Sequence, residues 1–293
     1  MPSAHPSDDG PVLDAHVPCA RCRYDLASSR LWGACPECGL EVIATVAQHA
    51  DPAVAHLAAP ESPAAASRAV LAATVAPLLA FLLQGSGPAM RTVDALAGRG
   101  SSLPSQVERP SWLVTAGVLG AAAWIAGRGL SASANPTLRA SIGTARVRRV
   151  AGGMWAWAAL LLAAFVVSFT PLNAGASLAK AALAAQLLPC ALTLHALGPL
   201  LARAGALART YREARHGRQS AELVAVTAVS AITLWVLEGI IAAAAGDDAR
   251  VVATGLAAVL FVITAIGLAY LVANGWVIAA GLRAPRIDPR RLR

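Results

Sequence analysis

From residue 69 to residue 281 the chain runs in long apolar stretches broken by short polar ones, and the apolar stretches show no period-two alternation. Unalternating runs of this length fit helices rather than a β-barrel, because a bilayer demands that each spanning segment satisfy its own backbone groups. Six runs, 69–87, 111–127, 150–170, 181–202, 223–246 and 251–281, predict membrane-crossing helices, since a hydrocarbon core of about 30 Å takes roughly 20 helical residues. The second run is short, and the fourth is interrupted by Gln186, Pro189, His195 and Pro199.

Ahead of the apolar runs the pattern changes. Residues 1–18 are polar and proline-rich, lack the apolar centre of a signal peptide, and predict a disordered N-terminus that stays in the cytosol. Residues 19–42 carry four cysteines, and 43–68 form an Ala/Pro-rich linker in which "EVIATVAQHA" predicts a short helix. Residues 283–293 are a basic tail. The expected fold is an all-α polytopic membrane helical bundle of about six transmembrane helices with a small N-terminal zinc ribbon.

Composition agrees with that reading. The 293 residues are 57% hydrophobic and 14% charged, with a mean hydropathy of +0.58, whereas soluble domains sit near 45 to 50% apolar and about 25% charged. The net charge of +8 would suit a nucleic-acid partner, but its location argues otherwise. The connections after the second and fourth runs hold Arg128, Arg139, Arg146, Arg148 and Arg149, and Arg203, Arg209, Arg212, Arg215 and Arg218; the tail holds Arg283, Arg286, Arg290, Arg291 and Arg293. The alternate connections hold Arg91, Arg99 and Arg109, then Lys180, then Arg250. The positive-inside rule therefore expects both termini in the cytosol, as in a bacterial inner-membrane protein. Trp124, Trp155, Trp157 and Trp276 fall near the expected cytosolic interface and Trp112 near the outer one.

Cys19-Ala20-Arg21-Cys22 and Cys35-Pro36-Glu37-Cys38-Gly39 are two C-x-x-C pairs separated by twelve residues. In a reducing compartment such pairs favour metal over disulfides. Two knuckles can set four thiolates tetrahedrally round one Zn²⁺, with turn N–H groups bonded to the sulfurs and Gly39 supplying the permissive backbone. Iron held as in rubredoxin is the competing metal, and a redox disulfide the competing chemistry. Four protein ligands leave no position for water, so the expected zinc is structural. Inside residues 19–42, Arg21, Arg23 and Arg30 are balanced by Asp25, Glu37 and Glu41, which removes the charge that phosphate binding needs.

The pattern Cys19, Cys22, Tyr24, Asp25, Leu26, Cys35, Pro36, Cys38, Gly39 resembles the N-terminal zinc ribbon of predicted membrane proteins of planctomycete-type bacteria, which are largely of unknown function. The resemblance covers about twenty residues and implies metal and membrane but no activity. It departs from the usual form at Ala20 and Arg23, where Pro and Gly are common, so the first turn is expected to be less favourable.

Glu238 is the acidic residue placed well inside a run, and an intramembrane charge asks for a partner, a wet cavity or a proton. A polar site of Glu238 with Thr193 and His195 is one reading; a protonated glutamate bonded to a neighbouring helix is the other. Cys190 reads as a small buried residue. No phosphate loop, serine elbow or H-E-x-x-H is present. The expected function is accordingly non-enzymatic: a membrane protein whose ribbon is a docking or assembly surface for a cytosolic protein, with no nucleic acid, the alternative being a small transporter or channel using Glu238.

Overall fold

The computed structural model describes residues 11–14, 16–49, 60–96, 103–131, 135–169, 181–208, 211–212 and 220–283. They fall into two compact units, the chain passing from the first to the second after Pro60.

The N-terminal head is built from three short antiparallel pairings and one helix. Val12 pairs with Arg30, Pro18 with Asp25 and Ala34 with Glu41, and α1 (Val42–His49) follows directly. The pairings place Leu13, Val17, Leu26, Leu31, Val42 and Val46 in one apolar core with Cys19 and Cys35. Leu13, Val17 and Val46, outside the expected bounds of 19–42, are fully buried in this core. About twenty residues cannot make a core, so the module recruits one apolar strand before the cysteines and one helical turn after them. Thr45 in α1, also buried, accepts the N–H of Ala20 at 3.3 Å and ties the helix to the first knuckle.

The second unit is helical. Its elements are α2 (Pro63–Leu96), α3 (Leu103–Gly129), α4 (Pro136–Ile142), α5 (Thr144–Val167), α6 (Leu187–Ala206) and α7 (Ala221–Arg283). α2 packs on α3, α3 on α5, α5 on α6, and α6 returns to α2. Each successive pair is antiparallel: Gly129 near the end of α3 meets Ala65 and Ala69 at the start of α2, Gly127 meets Ala151, and Gly153 in α5 meets Thr193 in α6. At the last of these a Cβ would come within 2.3 Å of the Thr193 hydroxyl, so only glycine permits that approach. Gly117 and Gly255, by contrast, face open space.

α7 is broken at Gly246 (φ +82°, ψ +179°) into two limbs. The second limb returns to α2, where Phe261 stacks on Phe81 with ring centroids 4.6 Å apart and Gly275 admits the Thr74 side chain. Among the described residues, five helices are long and apolar enough to cross a membrane: Pro63–Gly85, Arg109–Gly129, Thr144–Val167, Ala181–Ala206 and Asp248–Arg283. The sixth expected crossing, 223–246, is represented among the described side chains by a shorter apolar helix, Ala221–Leu237. Exposed faces of the spans are lined by large apolar side chains, among them Val252, Leu256, Val259, Ile263 and Ile266 on the second limb. Such faces suit lipid as solvent.

Two of the tryptophans expected at the interface are core residues instead. Trp157 is 1% exposed and donates its indole N–H to Gln186 Oε1 at 2.9 Å, and Trp112 is also buried. Trp124, Trp155 and Trp276 are exposed. Gln186, which interrupts the fourth apolar run, is therefore the partner of an indole between α5 and α6.

Candidate metal centre

The two knuckles have the same local backbone. Arg23 N–H donates to Cys19 C=O and Gly39 N–H to Cys35 C=O, both at 2.9 Å, while Cys19 N–H donates to Tyr24 C=O at 2.7 Å and Cys35 N–H to Leu40 C=O at 2.8 Å. Each turn closes on a residue in the left-handed region, Arg23 at φ +66° and Gly39 at φ +71°. Glycine takes that conformation without the Cβ clash that other residues suffer. The departure from glycine at position 23 thus falls on one of the two positions where the turn requires positive φ.

The matched turns bring the four cysteines together. Their sulfurs all lie within 4.8 Å of one another, with Cys19 Sγ and Cys38 Sγ 3.6 Å apart and Cys22 Sγ and Cys35 Sγ likewise 3.6 Å apart. A tetrahedron of sulfurs at 2.3 Å from zinc has edges of about 3.8 Å, so the observed separations fit a single ion. All four cysteines are free, as metal ligation requires. Cys19 and Cys35 are buried, Cys38 is half-buried and Cys22 is exposed, so the site is open at one corner only.

The electrostatics also favour a thiolate cluster. The backbone N–H groups of Cys22 and Arg21 point at Cys19 Sγ, and with help from the Cys38 and Cys35 thiols they lower its pKa to about 6 despite partial desolvation. Cys22 receives the Tyr24 N–H, which acts in the same direction, but desolvation and the three neighbouring sulfurs prevail and push it up to about 12. Negative charge therefore gathers first at the sulfur best supplied with N–H donors. A bound cation removes the conflict between the sulfurs by ligating all four as thiolates. Cys19, Cys22, Cys35 and Cys38 could hold one metal ion such as zinc, and among the described residues they are the group of metal-ligating side chains that converges.

The remaining motif residues brace the first knuckle. Asp25 accepts the Ala27 N–H at 3.0 Å, shaping the turn, and lies 2.6 Å from His16 Nδ1. Leu26 is fully buried, and its N–H donates to Val17 C=O at 2.9 Å. Tyr24 and Trp32 are exposed, so neither covers the metal cluster as an apolar lid.

Of the three polar residues expected inside the membrane, Thr193 and His195 have described side chains. Thr193 donates its hydroxyl to Pro189 C=O at 2.6 Å and packs against Gly153. The acidic neighbour of His195 is Glu222, with Nδ1 and Oε1 3.9 Å apart, on the exposed side of α6 and the first turn of α7. The Glu238 side chain lies outside the described residues. Cys190 is fully buried.

Asn135 is a structural residue that the sequence did not single out. It is fully buried, accepts the Ser62 N–H at 2.9 Å, and donates to Gly129 C=O at 2.8 Å and Ser62 C=O at 3.4 Å. One amide thereby joins the entry of α2 to the exit of α3. The signal available was Asn135-Pro136, a pair that favours turns and helix starts, which points to α4 but not to the long-range bonds.

No family model matches this chain, and neither does a curated protein or a solved structure.

Proposed function

We propose that this chain is a non-enzymatic integral membrane protein whose N-terminal head, folded round one structural zinc, serves as a docking or assembly surface for a cytosolic protein. The observation that carries the reading is the closed set of four sulfurs, since catalytic zinc keeps one position for water or substrate. Exposed Tyr24 and Trp32 support the docking role, because aromatic side chains that a small fold leaves uncovered are favoured contacts in protein interfaces. The arginine distribution supports a cytosolic head in a bacterial inner membrane, and the cysteine pattern supports kinship with the planctomycete-type ribbon proteins.

The test is capture of neighbours by cross-linking in native membranes, comparing the intact chain with Cys35→Ser/Cys38→Ser and with Trp32→Ala. Neighbours lost from both variants while the chain stays in the membrane fit the proposal. An unchanged set of neighbours in both contradicts it.

A further inference from the structure

Between Glu108 and Glu213 the sequence contains no aspartate or glutamate, although this stretch supplies α3, α4, α5 and α6. The arginines from Arg128 to Arg203 therefore have no acidic neighbours in sequence to neutralise them. Because successive helices are antiparallel, the end of α3, all of α4, the start of α5 and the end of α6 share one end of the helical unit. Arg128, Arg139, Arg148, Arg149 and Arg203 are exposed there. Among the described residues of the helical unit, the acidic ones at the same end are Glu61, at the entry of α2, and Glu222, which sits beside His195.

The corner between α4 and α5 holds three of these arginines in place. Leu138 and Ile142 are buried and fix α4 to the bundle, and Gly143 (φ +87°) turns the chain into α5 with its N–H on Arg139 C=O at 2.7 Å. This leaves Arg139, Arg148 and Arg149 facing outward, while neighbouring Arg146 donates to Ile142 C=O at 2.8 Å. Apolar and aromatic side chains begin beside the charges. Trp124 lies under the Arg128 guanidinium at 4.9 Å, and Trp155, two turns beyond Arg148, is likewise exposed. Guanidinium groups above indoles above a wide aliphatic face reproduce the order of a bilayer leaflet: phosphate, interface, hydrocarbon. A nucleic acid would match the first layer only.

We infer that Arg139, Arg148 and Arg149, with Arg128, form a binding surface for the phosphodiester headgroups of anionic phospholipids. This goes beyond the docking role of the head and does not depend on it. The test uses the full chain in nanodiscs of phosphatidylcholine, alone or with phosphatidylglycerol, followed by native mass spectrometry of retained lipid and by thermal unfolding. Phosphatidylglycerol should be retained in preference and raise the unfolding temperature. Arg139→Gln/Arg148→Gln/Arg149→Gln should lose the preference, at roughly five-fold in affinity per arginine, the equivalent of about 1 kcal/mol per surface charge. Single Arg148→Gln, together with loss of the preference at high salt in the unaltered chain, gives the same answer if the triple variant folds poorly. Equal retention of the two lipids, an unchanged preference in the variants, or equal stabilisation by inorganic phosphate or an oligonucleotide would overturn it.

Discussion

Arg23 holds a backbone conformation that costs an L-residue about 1 to 2 kcal/mol, in a turn that otherwise duplicates the one ending at Gly39. Arg23→Gly is expected to stabilise the head by up to about 1 kcal/mol, part of the relief being returned to the freer unfolded chain. Gly39→Ala should destabilise it by about as much. Both are read from the denaturant midpoint of the metal-loaded head within the intact chain. The His16 and Asp25 pair makes a pH prediction. The Asp25 hydrogen bond and charge raise His16 above its ordinary 6.5, and the His16 hydrogen bond, with the Ala27 N–H, holds Asp25 below the usual carboxylate range. The His16 contribution is complete below 6.5 and is lost as pH rises through its folded value. The Asp25 contribution is complete above the ordinary carboxylate value and is lost as pH falls through its folded value. NMR titration should show the raised His16 midpoint return to about 6.5 in Asp25→Asn; an unmoved midpoint would deny the pair.

Small residues and a few polar anchors hold the helices of the second unit. Asn135→Ala leaves the Ser62 N–H and the Gly129 carbonyl without their partner and should cost about 2 kcal/mol or more. Gly153→Leu drives a side chain into Thr193 and should separate α5 from α6 at a comparable or greater cost. Thermal unfolding of the detergent-solubilised chain by circular dichroism measures both, and a change within about 0.5 kcal/mol for either would refute the packing described. The positions of the long helices were legible because an apolar run of about 20 residues is a property of local sequence. Their partners were not. Gln186 and Trp157 read as interruptions or interfacial residues until α5 and α6 are side by side, and α4 is too short at seven residues for its apolar pattern to stand out. Gly153 and Gly129 differ from Gly117 only in what lies opposite, which no single helix encodes.

At the scale of the whole molecule, two solvents divide the chain. The helical unit presents apolar faces that lipid covers, and the head is a small aqueous fold whose core of some eight residues includes two of its four cysteines. A fold of this size rarely sustains itself on apolar burial alone, and a structural zinc contributes apparent binding energies on the order of 10 to 16 kcal/mol. The cysteine spacing made the site legible in the sequence. The burial of Leu13, Val17 and Val46 in the head's core was not, because it arises from tertiary packing. Chelation should therefore unfold the head while the helices persist. The most direct measurement is metal content per chain in detergent-purified protein, with helix content taken on the same sample. The account predicts one zinc in the intact chain, none in Cys35→Ser/Cys38→Ser, and equal helical signal in the two. A metal-free intact chain whose head resists proteolysis as well as the zinc-supplemented one would contradict it.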